Sequence, residues 1–295
     1  MGDLTALVKR HILRYLRDKA AVFFSFLSVI ILLTLYILFI GKQYTTYDGL
    51  TALPDGELKT FLVVGVMMGG VLVINSMSLS LGMMGNLIED LDKHSLDAFL
   101  VTPIKRSKII ISYYLAANIV TSTLSTVMWL LTVVYARISG GSWYSLDIIL
   151  LTILILIFFT FISSSIMIYI TTLLKSVNAF GVLSGILGTL VGFVSGIYMP
   201  LVFLGDTVKS IASLVPFTHM TILLKNLLLK KPIDELADLV QDDQIMATIE
   251  TSYGLDHIGV LGIDIPMVWI FVGIIVFSMG LLYLAFRSMT KKMNR

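Results

Sequence analysis

Few side chains in this 295-residue chain are able to do chemistry: four histidines, hydroxyl and amide groups inside apolar runs, and one acidic and apolar segment in the first third. His11, His94, His219 and His257 lack the close pairing that a metal-binding helix requires, and they are expected at the surface. No Gly-x-x-x-x-Gly-Lys-Ser/Thr loop is present to cradle phosphates, and there is no Gly-x-Ser-x-Gly elbow, His-Glu-x-x-His pair or dinucleotide fingerprint. With no cysteine, a disulfide framework, a zinc thiolate site and a thiol nucleophile are all excluded. Neither a catalytic constellation nor a metal site is expected, and any ATP must be bound by a partner.

The apolar runs offer Ser25, Ser28, Asn75, Ser76, Ser78 and Ser80, then Asn118, Thr121, Ser122, Thr123, Ser125 and Thr126, and finally Ser163, Ser164 and Ser165. Groups of this kind hold helices together in a bilayer. The alternative is that Asn75, Asn118 and Thr121 line a mildly polar translocation path.

The elements that must position these groups are apolar. The chain is 57% hydrophobic and 14% charged, with a mean hydropathy of +0.94, against roughly 25% charged in a soluble domain. A helix needs about 20 apolar residues to cross a hydrocarbon core about 30 Å thick. Six runs qualify: Ala20–Ile40, Phe61–Met84, Ile109–Ala136, Ile148–Leu174, Ala179–Met199 and Met267–Phe286. None contains Asp, Glu, Lys, Arg or His. An all-α integral membrane protein is expected, with one six-helix domain over 20–295 behind an amphipathic segment at 1–19. Ion-coupled transporters keep titratable groups inside the bilayer, so a motor-independent secondary transporter or channel is the weaker alternative. A membrane enzyme or scaffold finds no support in the residues.

Basic residues mark the cytoplasmic side. With the N-terminus inside, 14 of the 21 Lys and Arg fall on cytoplasmic stretches and 13 of the 19 acidic residues on outer ones, which places both termini in the cytoplasm. Those basic residues sit at the edges of apolar runs and the net charge is only +2, so no nucleic-acid partner is expected. The first run is too long for a signal peptide's apolar core and is read as a span.

Leu4, Leu7, Val8, Ile12, Tyr15 and Leu16 fall at helical spacing, with Lys9, Arg10, Arg14 and Arg17 turned away. This predicts a helix along the cytoplasmic lipid surface; a basic stop signal is the plainer alternative. Between the second and third runs lies a cytoplasmic loop, 85–108, in which Leu91, Leu96, Phe99 and Leu100 form a short apolar face beside Asp90, Asp92 and Asp97, ended by Pro103. Such an element suits docking onto another protein. Gly181, Gly185, Gly188, Gly192 and Gly196 share one side of the fifth run, for packing within the chain or for a dimer seam. After Met199-Pro200, residues 201–215 are too few to cross, so 200–216 is read as a re-entrant outer hairpin. Residues 217–265 are read as an extracytoplasmic loop with a helical portion at Asp234–Thr251.

Three stretches resemble the type-2 ATP-binding-cassette exporter permeases. They are the basic helix of residues 7–25 with its Arg17-Asp18, the loop Ser95-Leu-Asp-x-Phe-Leu-Val-x-Pro-Ile-Lys-Arg106, and Ser195-Gly-Ile-Tyr-Met-Pro200 followed by Leu214-Val-Pro-Phe-Thr-His219. The resemblance implies a permease subunit that works with a separate ATP-binding cassette ATPase and with a second copy of itself or a homologue. ATP and Mg would be bound by that ATPase, with no cofactor on this chain. The resemblance assigns Arg17, Asp18, Asp97, Phe99, Leu100, Pro103 and Arg106 to coupling with the motor. The implied activity is export of a drug, peptide, lipid or glycan precursor across the cell (plasma) membrane. Uncharged spans suit an amphiphilic cargo.

Overall fold

The computed structural model describes residues 2–35, 57–96, 104–138, 141, 143–198, 201–240 and 242–292. Within them the fold is helical, apart from an isolated bridge between Val260 and Ile263. Helix α1 (Gly2–Arg17) has Asp3 in its first turn and Arg14 and Arg17 in its last, charges that oppose the helix dipole. Asp18 breaks the helix, and its carboxylate accepts the Ala21 N–H at 2.9 Å, capping α2 (Lys19–Leu35). Beyond follow α3 (Glu57–Asp92), α4 (Arg106–Ile138), α5 (Leu146–Leu173), α6 (Val177–Val194), a 3-10 turn (Leu201–Leu204), α7 (Gly205–Ala212), α8 (Pro216–Val240), α9 (Asp243–Tyr253) and α10 (Met267–Lys292).

Five of these helices, α3 to α6 and α10, are long and apolar enough to cross a membrane. They match the second to sixth expected runs. The first run is represented by α2, whose last residues, 36–40, lie outside the described ones.

Helix α3 is the axis of the bundle. Its 36 residues span about 54 Å, and almost all of its apolar length is buried, as expected for a helix apolar on every side. Hydroxyls join it to its neighbours: Ser76 meets Ser163 at 3.2 Å, Ser80 meets Ser164 at 3.0 Å, and Asn75 donates to Ser125 at 3.2 Å.

Helix α8 runs antiparallel to the first half of α3. A Cβ on Gly65 would come within 2.6 Å of Leu229, and one on Gly69 within 2.4 Å of the Lys225 stem and 3.0 Å of its backbone. Within residues 217–265, α8 occupies 216–240, and Phe217 to Thr221, Leu224 and Lys225 are buried. Lys225 brings a buried charge against Gly69 of the second apolar run, which itself contains none.

The stripe of glycines on α6 divides. Among the described residues nothing lies within 4 Å of a Cβ built on Gly181, Gly185 or Gly188. Gly192 lies under the Tyr198 ring, where a Cβ would fall 2.1 Å from Cε2, and Gly196 takes a positive φ of 68°. The N–H groups of Ile197 and Tyr198 return to the Gly192 carbonyl. The Ser195-Gly196-Ile197-Tyr198 signature is therefore a helix C-terminus, with glycine where a left-handed residue is required.

Candidate functional site

Contacts gather one end of each long helix into a single region. Asn86 donates to the His11 carbonyl at 3.4 Å, Lys108 pairs with Asp3 at 3.2 Å, Gly85 faces Phe180, and the Lys292 ammonium donates to the carbonyls of Thr172 and Leu174. That end carries Arg10, Arg14, Lys93, Lys105, Arg106, Lys108, Lys175, Arg287 and Lys291, while Lys59 and Arg137 stand at the opposite ends of α3 and α4.

Asp90 is its centre. The carboxylate is 1% exposed and takes three donors: Arg14 Nη1 at 2.5 Å, Arg10 Nη1 at 3.2 Å and the Tyr113 hydroxyl. The second guanidinium nitrogen of Arg14 reaches Glu89 at 2.5 Å, and Lys93 lies 3.8 Å from the same carboxylate. Two arginines one turn apart on α1 thus meet two consecutive acids on α3. The Arg14 pKa is held above its ordinary value by its bonds to Asp90 and Glu89, which outweigh the opposing effect of burial.

His11 completes the knot between the two arginines. It is buried, stacks on Tyr113 with ring centroids 3.7 Å apart, and its Nε2 lies 3.0 Å from Ser112 Oγ. Ser112 spends its own proton on the Ile109 carbonyl at 2.6 Å, so Nε2–H donates to Ser112 and Nδ1 keeps a lone pair facing Arg10 at 3.4 Å. Burial and the adjacent Arg10 pull the His11 pKa down to about 4, against a smaller opposing pull from Asp90. The sign follows: the unfolded chain binds a proton below about pH 6.5 and the folded chain does not. Stability is complete above that pH and is lost progressively toward pH 4. Thermal unfolding in detergent between pH 7.5 and 4.5 should show this fall, and His11→Gln should flatten it.

The knot corrects three expectations. His11 is buried, and so is His219, which bonds the Ser213 carbonyl at 2.8 Å. Arg10 and Arg14 turn to the acids of α3, and the buried face of α1 is Leu7, His11 and Tyr15, set against the other helices. The expected loop at 85–108 is helical through Asp92 and helical again from Arg106.

Of the residues assigned to motor coupling, Asp18 caps α2, Arg17 is exposed at the end of α1, and Arg106 opens α4 half-buried. Asp97, Phe99, Leu100 and Pro103 lie outside the described residues. Asn75 and Thr121 are fully buried on α3 and α4, with Asn75 Oδ1 and the Thr121 hydroxyl unpartnered among the described residues, while Asn118 bonds its own helix at the Tyr114 carbonyl. No cluster of three or more metal-ligating side chains occurs among the described residues.

These features define a multi-pass helical membrane protein with a cluster of basic residues at one end. A family model described as ABC-2 type transporter matches residues 3–229, well over half the chain. The chain belongs to that family and is a permease component of ABC-type transport. No curated protein matches it significantly.

Proposed function

We propose that this permease is the membrane subunit of an exporter, driven by ATP and Mg bound and hydrolysed on a separate ATP-binding cassette subunit. The observation that carries this reading is the knot at Asp90. A motor outside the membrane can move an uncharged bundle only through a rigid cytoplasmic grip, and the Arg10–Asp90–Arg14 pairing fixes α1 to the ends of α3 and α4. Those ends flank the loop holding Asp97, Phe99, Leu100 and Pro103, which together with Arg17, Asp18 and Arg106 form the docking surface.

The same end carries most of the basic residues of the long helices, which supports cytoplasmic termini in the plasma membrane. The first apolar run completes a sixth span, and α1 lies at the lipid surface with Leu13 and Leu16 exposed toward it. Residues 200–216 descend as a re-entrant hairpin, a reading supported by the embedded start of α8. Two copies, or this chain and a homologue, pair through the open glycine face of α6. An amphiphilic drug, peptide, lipid or glycan precursor crosses between them near Asn75, Asn118 and Thr121.

The test is reconstitution with the ATPase that co-purifies from the native host. Replacing Asp97 and Phe99 together should reduce cargo-stimulated ATP hydrolysis at least tenfold and weaken co-purification. Transport by the permease alone, without nucleotide, would refute the reading.

A further inference from the structure

At the end of the bundle opposite Asp90, the α4–α5 connection, the first turns of α3 and the middle of α8 enclose a cavity of about 60 Å³. A water needs roughly 10–15 Å³ of such space, so the cavity admits about four water-sized groups. Phe61, Trp143, Tyr144, Lys231, Pro232 and Glu235 line it. Phe61 and Tyr144 meet edge to face with ring centroids 4.8 Å apart. Tyr144, which lines the cavity, is 6% exposed, and its buried hydroxyl has no partner among the described residues. An orphaned buried hydroxyl is costly. One that borders an open cleft is accounted for when a ligand completes it.

We propose that this cleft binds the primary-amine head of a zwitterionic amphiphile, of the phosphoethanolamine type. The chemistry selects both charges. Aromatic faces carry negative potential and attract an ammonium; Glu235 supplies a carboxylate, and the Tyr144 oxygen an acceptor, for its N–H groups. Lys231, 3.6 Å from Glu235 across one helical turn, is the matching cation for a phosphate. Neither member of that exposed pair is held strongly by the other, so each is available to a ligand of opposite sign. An amphiphile is indicated by the lining residue Trp143, which stands 60% exposed, an arrangement suited to the bilayer rim.

The site does not depend on an ATPase, so its failure leaves the exporter reading untouched. The experiment titrates the purified full-length protein in detergent with short-chain phosphatidylethanolamine and, separately, phosphatidylglycerol, following tryptophan fluorescence. The amine head should bind at least tenfold more tightly. Glu235→Gln should weaken binding about tenfold. Tyr144→Phe should weaken it about fivefold while leaving the ligand-free unfolding temperature unchanged or higher, an opposition that a purely structural tyrosine would not give. Free phosphoethanolamine separates the sources: binding comparable to the lipid's assigns the head of a soluble solute, and its absence assigns a membrane lipid. Equal binding of the two lipids, or full affinity in Tyr144→Phe, overturns the proposal.

Discussion

Asp90→Asn should release α1 from the bundle and uncouple the permease from its motor while leaving the long helices inserted. The carboxylate is almost wholly buried and receives two arginines and a tyrosine. Removing one member of a buried charged group costs about 3–5 kcal/mol, chiefly because the remaining charges are left unpaired. Here the lower end applies, about 3 kcal/mol, because the Arg10 and Arg14 side chains keep 36% and 29% exposure and water can reach them. Arg14 also retains Glu89. The loss is local, so the sensitive readout is trypsin, which cleaves after Lys9, Arg10, Arg14 and Arg17 once α1 lifts away. Cleavage there should accelerate at least tenfold, with ATPase stimulation falling in parallel. A cycle pairing Asp90→Asn with Arg14→Met should show strong non-additivity. If the two changes simply add and trypsin finds α1 no more accessible, Asp90 is not the clamp.

The cost of that clamp explains why it was hard to read from the chain. Arg10 and Arg14 stand off the apolar stripe of α1, and a helix at a lipid surface gives the same pattern as one whose basic residues pair with acids 76 and 80 residues away. The spacing did hold a signal: two arginines four apart and two consecutive acids, of matching charge, at the ends of apolar elements. Only the packing of α1 on α4 brings them together. His11 was hidden for a similar reason, since a histidine in a basic amphipathic helix looks solvated until Tyr113 and Ser112 are placed beside it.

Span positions were far more legible. Bilayer thickness imposes a length that composition must satisfy, and five of the six expected runs lie on helices long and apolar enough to cross. The segment after the fifth run was less so. Asp234, Glu235 and Asp238 drew α8 toward an aqueous loop, whereas its first half is a tertiary element held by Gly65 and Gly69. Glycines on α6 gave the more regular stripe, yet the two on α3 bear the closest helix contact. Spacing reports which residues share a face and is silent on what that face meets.

Lys225 is where the close contact matters most, and Lys225→Met is expected to loosen both α9 and the end of α6. The ammonium donates to the Tyr253 carbonyl at 3.0 Å and to the Gly196 carbonyl at 3.3 Å. Those carbonyls lie at the C-terminal ends of α9 and α6, where unpaired acceptors and the helix dipoles both favour a cation. Methionine keeps much of the stem and removes the cost of burying a charge, but it leaves two buried carbonyls without this donor, each worth about 1–3 kcal/mol. The orphaned acceptors outweigh the relief, for a net loss of about 2 kcal/mol, and Lys225→Ala adds a cavity and should cost about 4. Hydrogen exchange over 243–253 should rise in both variants. Gly69→Ala probes the same contact from α3: its methyl would meet the Lys225 stem, which can move, and the Lys225 backbone, which cannot, costing about 1–3 kcal/mol. Gly181→Ala adds the same methyl into open space within one copy of the chain and should be neutral or slightly stabilising. Should Lys225→Met unfold no earlier than the parent while Gly69→Ala does, the lysine acts there by volume and its charge holds nothing in place.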